Sequence, residues 1–241
     1  MHVEEFRPRA ERRDDFRDFH AAICRRSGRA RVIAEAKRAS PSAGVIAANY
    51  DPVEIAKRYQ ANGADAISVL TEKNYFGGAP EHLTAVREAV ALPILRKDFI
   101  IEEVQIVESV AIGADAMLLI VAALASERLC ALHDYATANG MSVLVEVHTR
   151  DEIDIAVDAG AKIVGINNRN LATLGIDLAT TEKLLPAIPQ GITIVSESGI
   201  RTMADLERMA TYPIDALLVG EGLMRGEISI DAGRSSATPR S

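Results

Sequence analysis

Eight short apolar runs, the helical patterns between them and a helix-to-strand joint used three times predict an α/β fold: a single (β/α)8 TIM barrel with a short N-terminal extension. The runs span 31–35, 66–70, 93–96, 116–120, 142–147, 163–166, 193–195 and 216–219, roughly 20–35 residues apart. That spacing fits a strand plus a crossover helix. Most runs are apolar throughout, as strands covered on both faces of a parallel sheet must be. A length of 241 residues suits one such barrel.

The elements between the runs carry their own punctuation. Asp51 followed by Pro52 opens a helix as cap and first residue, and Asn62-Gly63 closes it. The segment 101–112 reads as a helix ended by Gly113. Ser126 is expected to cap the helix that runs to Asn139-Gly140, and Thr149 the one over 150–159, ended by Gly160. Gly63-Ala64-Asp65, Gly113-Ala114-Asp115 and Gly160-Ala161-Lys162 repeat one joint before three strands. A doubly wound open sheet is the alternative, but no GxGxxG follows the first strand. The division expected is an Arg-rich, partly helical extension over 1–31, holding nine arginines, the barrel over 32–226, and a polar, frayed tail over 227–241.

Composition excludes several function classes. A net charge of −7 argues against nucleic-acid binding, though a small anion can still meet a local positive site. Cys24 and Cys130 form no disulfide framework, and no Cys/His cluster has zinc spacing. The acidic N-terminus is no signal peptide, and the longest apolar run, 116–125, falls short of the ~20 residues that cross a bilayer. These features predict a soluble, cytoplasmic protein without a membrane partner.

Polar residues gather where such a barrel does its chemistry, at the C-terminal ends of the strands. Glu35 and Lys37 end the first strand and share a face, because residues two apart on a strand do. Arg96-Lys97-Asp98 ends the third, Glu146 and His148 sit on the fifth, and Asn167-Asn168-Arg169-Asn170 follows the sixth. Ser196-Glu197-Ser198-Gly199 ends the seventh and Gly220-Glu221-Gly222 the eighth. Two lysines (Lys37, Lys97) and two glutamates (Glu35, Glu146) in one pocket form two acid/base pairs, or else a pair of neutral rim salt bridges. Gly199 and Gly220 lie where barrels hold phosphate on backbone N–H groups, and Ser40 adds a hydroxyl.

Taken together, the stretches VIAEAKRASPSAG, SVLTEKNYFGG, LPILRKDFI, GADAMLLIVAAL, VLVEVHT, VGINNRNL, IVSESGI and LLVGEGLM resemble the indole-3-glycerol phosphate synthase family, in family order from Val32 to about Arg225. The resemblance implies closure of the indole ring of 1-(2-carboxyphenylamino)-1-deoxyribulose 5-phosphate with loss of CO2 and water, in tryptophan biosynthesis or a related secondary pathway. It implies no metal and no organic cofactor, a small anionic sugar-phosphate substrate, and association with other tryptophan-pathway enzymes as the partner it allows. Lys97 is then the general acid at the substrate carbonyl, Lys37 a clamp on the carboxylate and an acid in dehydration, and Glu146 the group that stabilises the iminium. Glu35 is a base, Asn167 orients the substrate, and Ser198 and Arg169 belong to the same pattern. Ser40, Gly199, Gly220 and Glu221 hold phosphate, and Phe76, Phe99 and Leu118 line a slot for the aromatic ring. The division of acid duties between the lysines stays open.

The chain departs from the family's pattern in its short, arginine-rich N-terminus, in Asn170 where Asp is usual, in Gly222, and in a short helix after the last strand. Two rivals remain. A phosphoribosyl anthranilate isomerase needs one acid and one base, so this set would be surplus. A scaffold that kept only the fold would be expected to lose a site lysine or glutamate, and all four are present.

Overall fold

In the computed structural model, which describes residues 3–25, 28–41 and 44–230, eight parallel strands close into a barrel. They are β1 (Arg31–Ala36), β2 (Ala66–Leu70), β3 (Ile94–Lys97), β4 (Ala116–Ile120), β5 (Ser142–Val147), β6 (Ile163–Asn167), β7 (Thr193–Glu197) and β8 (Ala216–Val219). Each pairs with its sequence neighbours, and β1 closes the ring on β8, Arg31 opposite Ala216. Two further strand segments, Ala39–Ser40 and Gly44–Val45, pair above β1.

Side chains of each strand alternate between two cores. Ile33, Ala66, Leu95, Leu118, Leu144, Ile163, Val195 and Leu218 point inward and fill the barrel. Val32, Ile67, Ile94, Met117, Val145, Val164 and Leu217 point outward, against the helices. That second layer is why the runs read as continuously apolar.

The helices start and stop largely as the sequence indicates. Asp51 accepts hydrogen bonds from the Val53 and Glu54 N–H groups at the start of α3 (Pro52–Ala61), and Thr149 accepts from Glu152 N–H at the start of α7 (Arg150–Asp158). Two expectations shift. The helix expected over 101–112 begins at Glu103, since Glu102 and Gln105 cap it reciprocally. Ser126 is the first residue of its helix (Ser126–Ala138) and Ala125 occupies the cap without a side-chain bond.

The N-terminal segment closes the barrel base. Of its two helices, α1 (Val3–Ala10) and α2 (Phe19–Ile23), the second inserts Phe19 and Ile23, both fully buried, into the inner core. The N-terminal segment is therefore a plug in the barrel base. Arg13 and Arg87 grip Asp115, Arg29 and Arg31 grip Asp65, and the Arg25 N–H donates to Asp215. Each of these aspartates also accepts a backbone N–H from the start of a neighbouring strand: Val32, Ile94 or Ile194. The two Gly-Ala-Asp joints thus supply two of these carboxylates, Asp65 and Asp115, and Asp215 plays the same part after Pro213-Ile214.

The C-terminal expectation needs one correction. Ile228 and Ile230 are buried against the outer core, so the packed structure continues past 226, through 230. The remainder of the expected frayed tail, 231–241, lies outside the described residues. Among the described residues no helix is long and apolar enough to cross a membrane.

Candidate active site

The inner face of the four odd-numbered strands turns from apolar to charged two residues after its last apolar contact. Ile33 is followed by Glu35, Leu95 by Lys97, Leu144 by Glu146 and Val195 by Glu197. A barrel interior is normally built of layers of bulky apolar side chains drawn from alternate strands. Here one such set consists of three carboxylates and an ammonium at the floor of a cavity of about 400 Å³.

All fourteen residues named from the sequence line that cavity: Glu35, Lys37, Ser40, Phe76, Lys97, Phe99, Leu118, Glu146, Asn167, Arg169, Ser198, Gly199, Gly220 and Glu221. Each of the two lysines pairs with a glutamate. Lys37 Nζ lies 2.6 Å from Glu35 Oε1, and Lys97 Nζ 2.9 Å from Glu146 Oε2. Asn167 Nδ2 donates to the other Glu146 oxygen at 3.0 Å, and its own Oδ1 accepts the Arg169 N–H.

The count of two glutamates was short by one. Glu197 Oε2 stands 3.0 Å from Lys97 Nζ, so Lys97 bridges two buried carboxylates. Glu197 was visible inside the Ser-Glu-Ser-Gly end of β7, and the inward parity it shares with Val195 was the signal for it. Gly165 opposite makes its room: a Cβ there would lie 2.0 Å from Glu197 Oε1. Gly220 does the same for the first pair, since a Cβ would come within 2.6 Å of Glu35 Oε1 and 3.0 Å of Lys37 Nζ.

Burial and charge set the protonation states. Burial alone would lower the Lys97 pKa, but Glu146, Glu197 and Glu35 outweigh it and hold the ammonium well above the usual lysine range. Burial opposes ionisation of Glu146 as well, yet Lys97 and the Asn167 hydrogen bond keep it below the usual carboxylate value. Glu35 is likewise held down, by Lys37 and Lys97 against its own burial. Glu197 comes out differently. Burial pushes it up to about 7, Lys97 resists and Glu146 adds repulsion. The cavity therefore holds a firmly protonated lysine, two firmly ionised glutamates and one glutamate that exchanges its proton near neutrality.

The loops are shaped to meet a ligand. Ser198 and Gly199 are both left-handed, φ 65° and 87°, which a non-glycine residue adopts only when its surroundings impose it. Asn168, buried beneath them, donates to the carbonyls of Glu197 and Ser198, and its Oδ1 accepts from Thr181. At the mouth, Glu72 accepts the N–H groups of Asn74, Tyr75 and Phe76, and Asp98 accepts that of Phe99, fixing the loops that carry the two phenylalanines.

Known proteins share both the fold and the sequence. Solved structures with the same architecture include the N-acetylmannosamine-6-phosphate 2-epimerase from Clostridium perfringens (TM-score 0.65, 14% identity, 89% of this chain and 95% of that one). KGPDC from Streptococcus mutans is similar (TM-score 0.63, 14% identity, 86% and 95%). At that identity they speak for the barrel alone. Curated relatives named indole-3-glycerol phosphate synthase come much nearer. The one from Chloroherpeton thalassium is 49% identical over 93% of this chain and 87% of its own length. That from Chlorobium phaeobacteroides is 51% identical (86% and 80%), and that from Dehalococcoides mccartyi 53% (80% and 76%). Residues 1–232 match the family model described as indole-3-glycerol phosphate synthase, and the chain belongs to that family.

Proposed function

We propose that Lys97, Glu146, Glu197, Glu35 and Lys37 together carry out the indole-3-glycerol phosphate synthase reaction, the carboxy-lyase activity that membership of this family gives the chain. The observation that carries the assignment is Lys97 Nζ set between Glu146 and Glu197 at 2.9 and 3.0 Å, on the floor of the cavity that also holds the Lys37–Glu35 pair. The substrate, 1-(2-carboxyphenylamino)-1-deoxyribulose 5-phosphate, is stretched between two clamps. Its phosphate lies on the backbone N–H groups at Gly199, Gly220 and Glu221 with Ser40, and its carboxylate meets Lys37. Phe76, Phe99 and Leu118 flank the aromatic ring, and Arg169 and Ser198 line the space between the clamps.

Lys97 gives a proton to the sugar carbonyl oxygen as the ring carbon bearing the carboxylate bonds to the carbonyl carbon. Carbon dioxide leaves and its electron pair restores the aromatic ring, Glu146 having offset the positive charge on nitrogen. The new hydroxyl then leaves as water with a second proton, from Lys37, while Glu35 takes a proton from the carbon next to nitrogen. Holding both ends of one flexible molecule removes much of the entropic barrier to ring closure.

The test compares two lysine variants by indole fluorescence, in single turnovers so that chemistry is what is measured. Lys97→Ala is expected to slow the chemical step about 10²–10⁴-fold with substrate affinity little changed. Lys37→Ala is expected to slow it less and to weaken binding more. Near-normal turnover by Lys97→Ala removes Lys97 from the acid role. Sulfate or inorganic phosphate should compete with substrate, and absence of competition removes the phosphate clamp.

A further inference from the structure

The phosphate end of the cavity carries a charge that the clamp described above leaves out. Among the described residues, four cations line the cavity: Lys37, Lys97, Arg169 and Arg201. Three of them are held. Lys37 and Lys97 each stand within 3.0 Å of a buried glutamate, and Arg169 Nη1 donates to the Leu174 carbonyl at 3.3 Å. Arg201 is not held. Its backbone N–H donates to Asp205, but among the described residues its guanidinium makes no hydrogen bond, and its ion pair with Glu221 is loose, Nε to Oε2 at 3.7 Å. Glu221 has a closer partner in Arg225, whose Nε donates to the other oxygen at 3.2 Å. The Arg201 side chain is 50% exposed against 18% for Glu221, so the arginine is the partner with room to move.

Two features of this corner call for an anion. Arg201 follows Gly199 by two residues, on the loop after β7, and Arg169 approaches it from the loop after β6. Burial lowers the Arg169 pKa, and the Arg201 charge lowers it further. Like charges brought together repel each other, and a dianion between them turns that repulsion into attraction. Glu221 also sets a carboxylate beside the backbone N–H groups assigned to phosphate. Those N–H groups carry only partial charges, so a phosphate held there needs a full positive charge to offset the carboxylate.

We infer that Arg201 is the movable side-chain part of the phosphate clamp: it leaves Glu221 to Arg225 and lays its guanidinium on the phosphate opposite Arg169, so that the site selects a phosphate ester over the same sugar without its phosphate. A guanidinium suits the task, since its planar fork meets two phosphate oxygens at once. Arg201 binds the end of the substrate remote from the reacting atoms, so it sets affinity and substrate choice and leaves the chemical steps to the lysines and glutamates.

This inference rests on the phosphate clamp proposed above, and the experiment separates it from the proposed reaction. Calorimetric titration with inorganic phosphate needs no turnover. Arg201→Gln should raise the phosphate Kd about tenfold, the low end for a hydrogen bond to a charged group. Arg201→Lys, which keeps the charge but not the fork, should fall between that variant and the unaltered chain. Followed by indole fluorescence, Arg201→Gln should raise KM for the phosphorylated substrate by the same factor with kcat within twofold, and leave KM for the dephosphorylated substrate unchanged. An arginine that only braced its loop would change both substrates alike. A phosphate Kd in Arg201→Gln equal to that of the unaltered chain overturns the inference, and so does an equal loss for the two substrates. Should Arg201→Gln fail to fold, Arg201→Lys decides by the same titration. Absence of indole fluorescence from the unaltered chain ends the proposed reaction and leaves the titration to decide Arg201. Normal turnover with a phosphate Kd that Arg201→Gln does not move ends the role of Arg201 alone.

Discussion

Arg87 and Lys97 are both buried cations flanked by two carboxylates, at opposite ends of one barrel. Arg87 meets Asp115 at 2.7 Å and Asp15 at 2.8 Å, and Lys97 meets Glu146 at 2.9 Å and Glu197 at 3.0 Å. The surroundings of the carboxylates separate them. Asp115 accepts from Arg13, Arg87 and the N–H groups of Arg17 and Ile94, so its oxygens are saturated. Glu197 Oε2 meets only the Lys97 ammonium, and its buried Oε1 has no hydrogen-bond partner among the described residues. The cations differ in kind too: a guanidinium fork stays charged and binds two-handed, whereas an ammonium is a point charge that can give up its proton. A saturated carboxylate under an arginine is a strut. An unsaturated one beside a lysine, facing a cavity, is a reagent.

Removing a strut should produce the largest effect. Asp115→Ala leaves the buried Arg13 and Arg87 with only the exposed Asp15 as a carboxylate partner, a loss of about 3–5 kcal/mol in urea unfolding. At temperatures where the variant is folded, turnover should match the unaltered chain. A loss of turnover without a shift of the unfolding midpoint would mean that the two ends are not separable.

The two ends should also respond oppositely to pH. Glu197 has a folded-state value of about 7 against 4.5 for an unperturbed glutamate. A raised carboxylate stabilises the fold below about 4.5 and loses that contribution as pH rises through about 7, up to about 3 kcal/mol over the window. Asp15 is the reverse: the Arg87 hydrogen bond pulls it down to about 2 from 3.8, so its contribution is present above 3.8 and is lost as pH falls through about 2. Glu197→Gln should therefore flatten the decline between pH 4.5 and 7 and leave the acid limb untouched. An unchanged decline in the variant would remove Glu197 as its source.

Sequence alone revealed the top of this molecule better than the base, for a physical reason. A catalytic residue at a strand end is marked locally: a polar side chain interrupts an apolar run, and strand parity tells which way it points. Glu35, Lys97 and Glu146 carry that mark, and Glu197 carries it as clearly on the parity of Val195. The base has no such mark. Arg13 and Asp115 are 102 residues apart, and nothing near Arg13 distinguishes a buried guanidinium from a solvated one. Phe19 and Ile23 are the ends of a short helix whose burial depends on a barrel base formed later in the chain. Barrel closure was readable because it repeats a local unit eight times; the plug occurs once and depends on distant partners.

The smallest expected effect tests whether Glu197 is a reagent because of where it is held. Gly165 lies on β6, opposite Glu146 on β5 and Val195 on β7, so its missing side chain is the space Glu197 occupies. A Cβ at 165 would stand 2.0 Å from Glu197 Oε1 and 3.1 Å from Leu144 Cδ1. The nearer atom is the tip of a flexible side chain, so Gly165→Ala can be accommodated by rotating the carboxylate, at a stability cost of about 1–3 kcal/mol. Rotation takes Glu197 away from Lys97, leaving Lys97 bound to Glu146 alone. If proton exchange at Lys97 uses both carboxylates, turnover should fall about tenfold, or about 1.4 kcal/mol at the transition state, while substrate affinity holds because both clamps lie elsewhere. The alkaline drift in stability should shrink in the same variant, since a rotated Glu197 reaches water. Full turnover together with an unchanged pH dependence of stability would show that Glu197 tolerates displacement, and the contrast between a strut and a reagent would then rest on Lys97 and Glu146 alone.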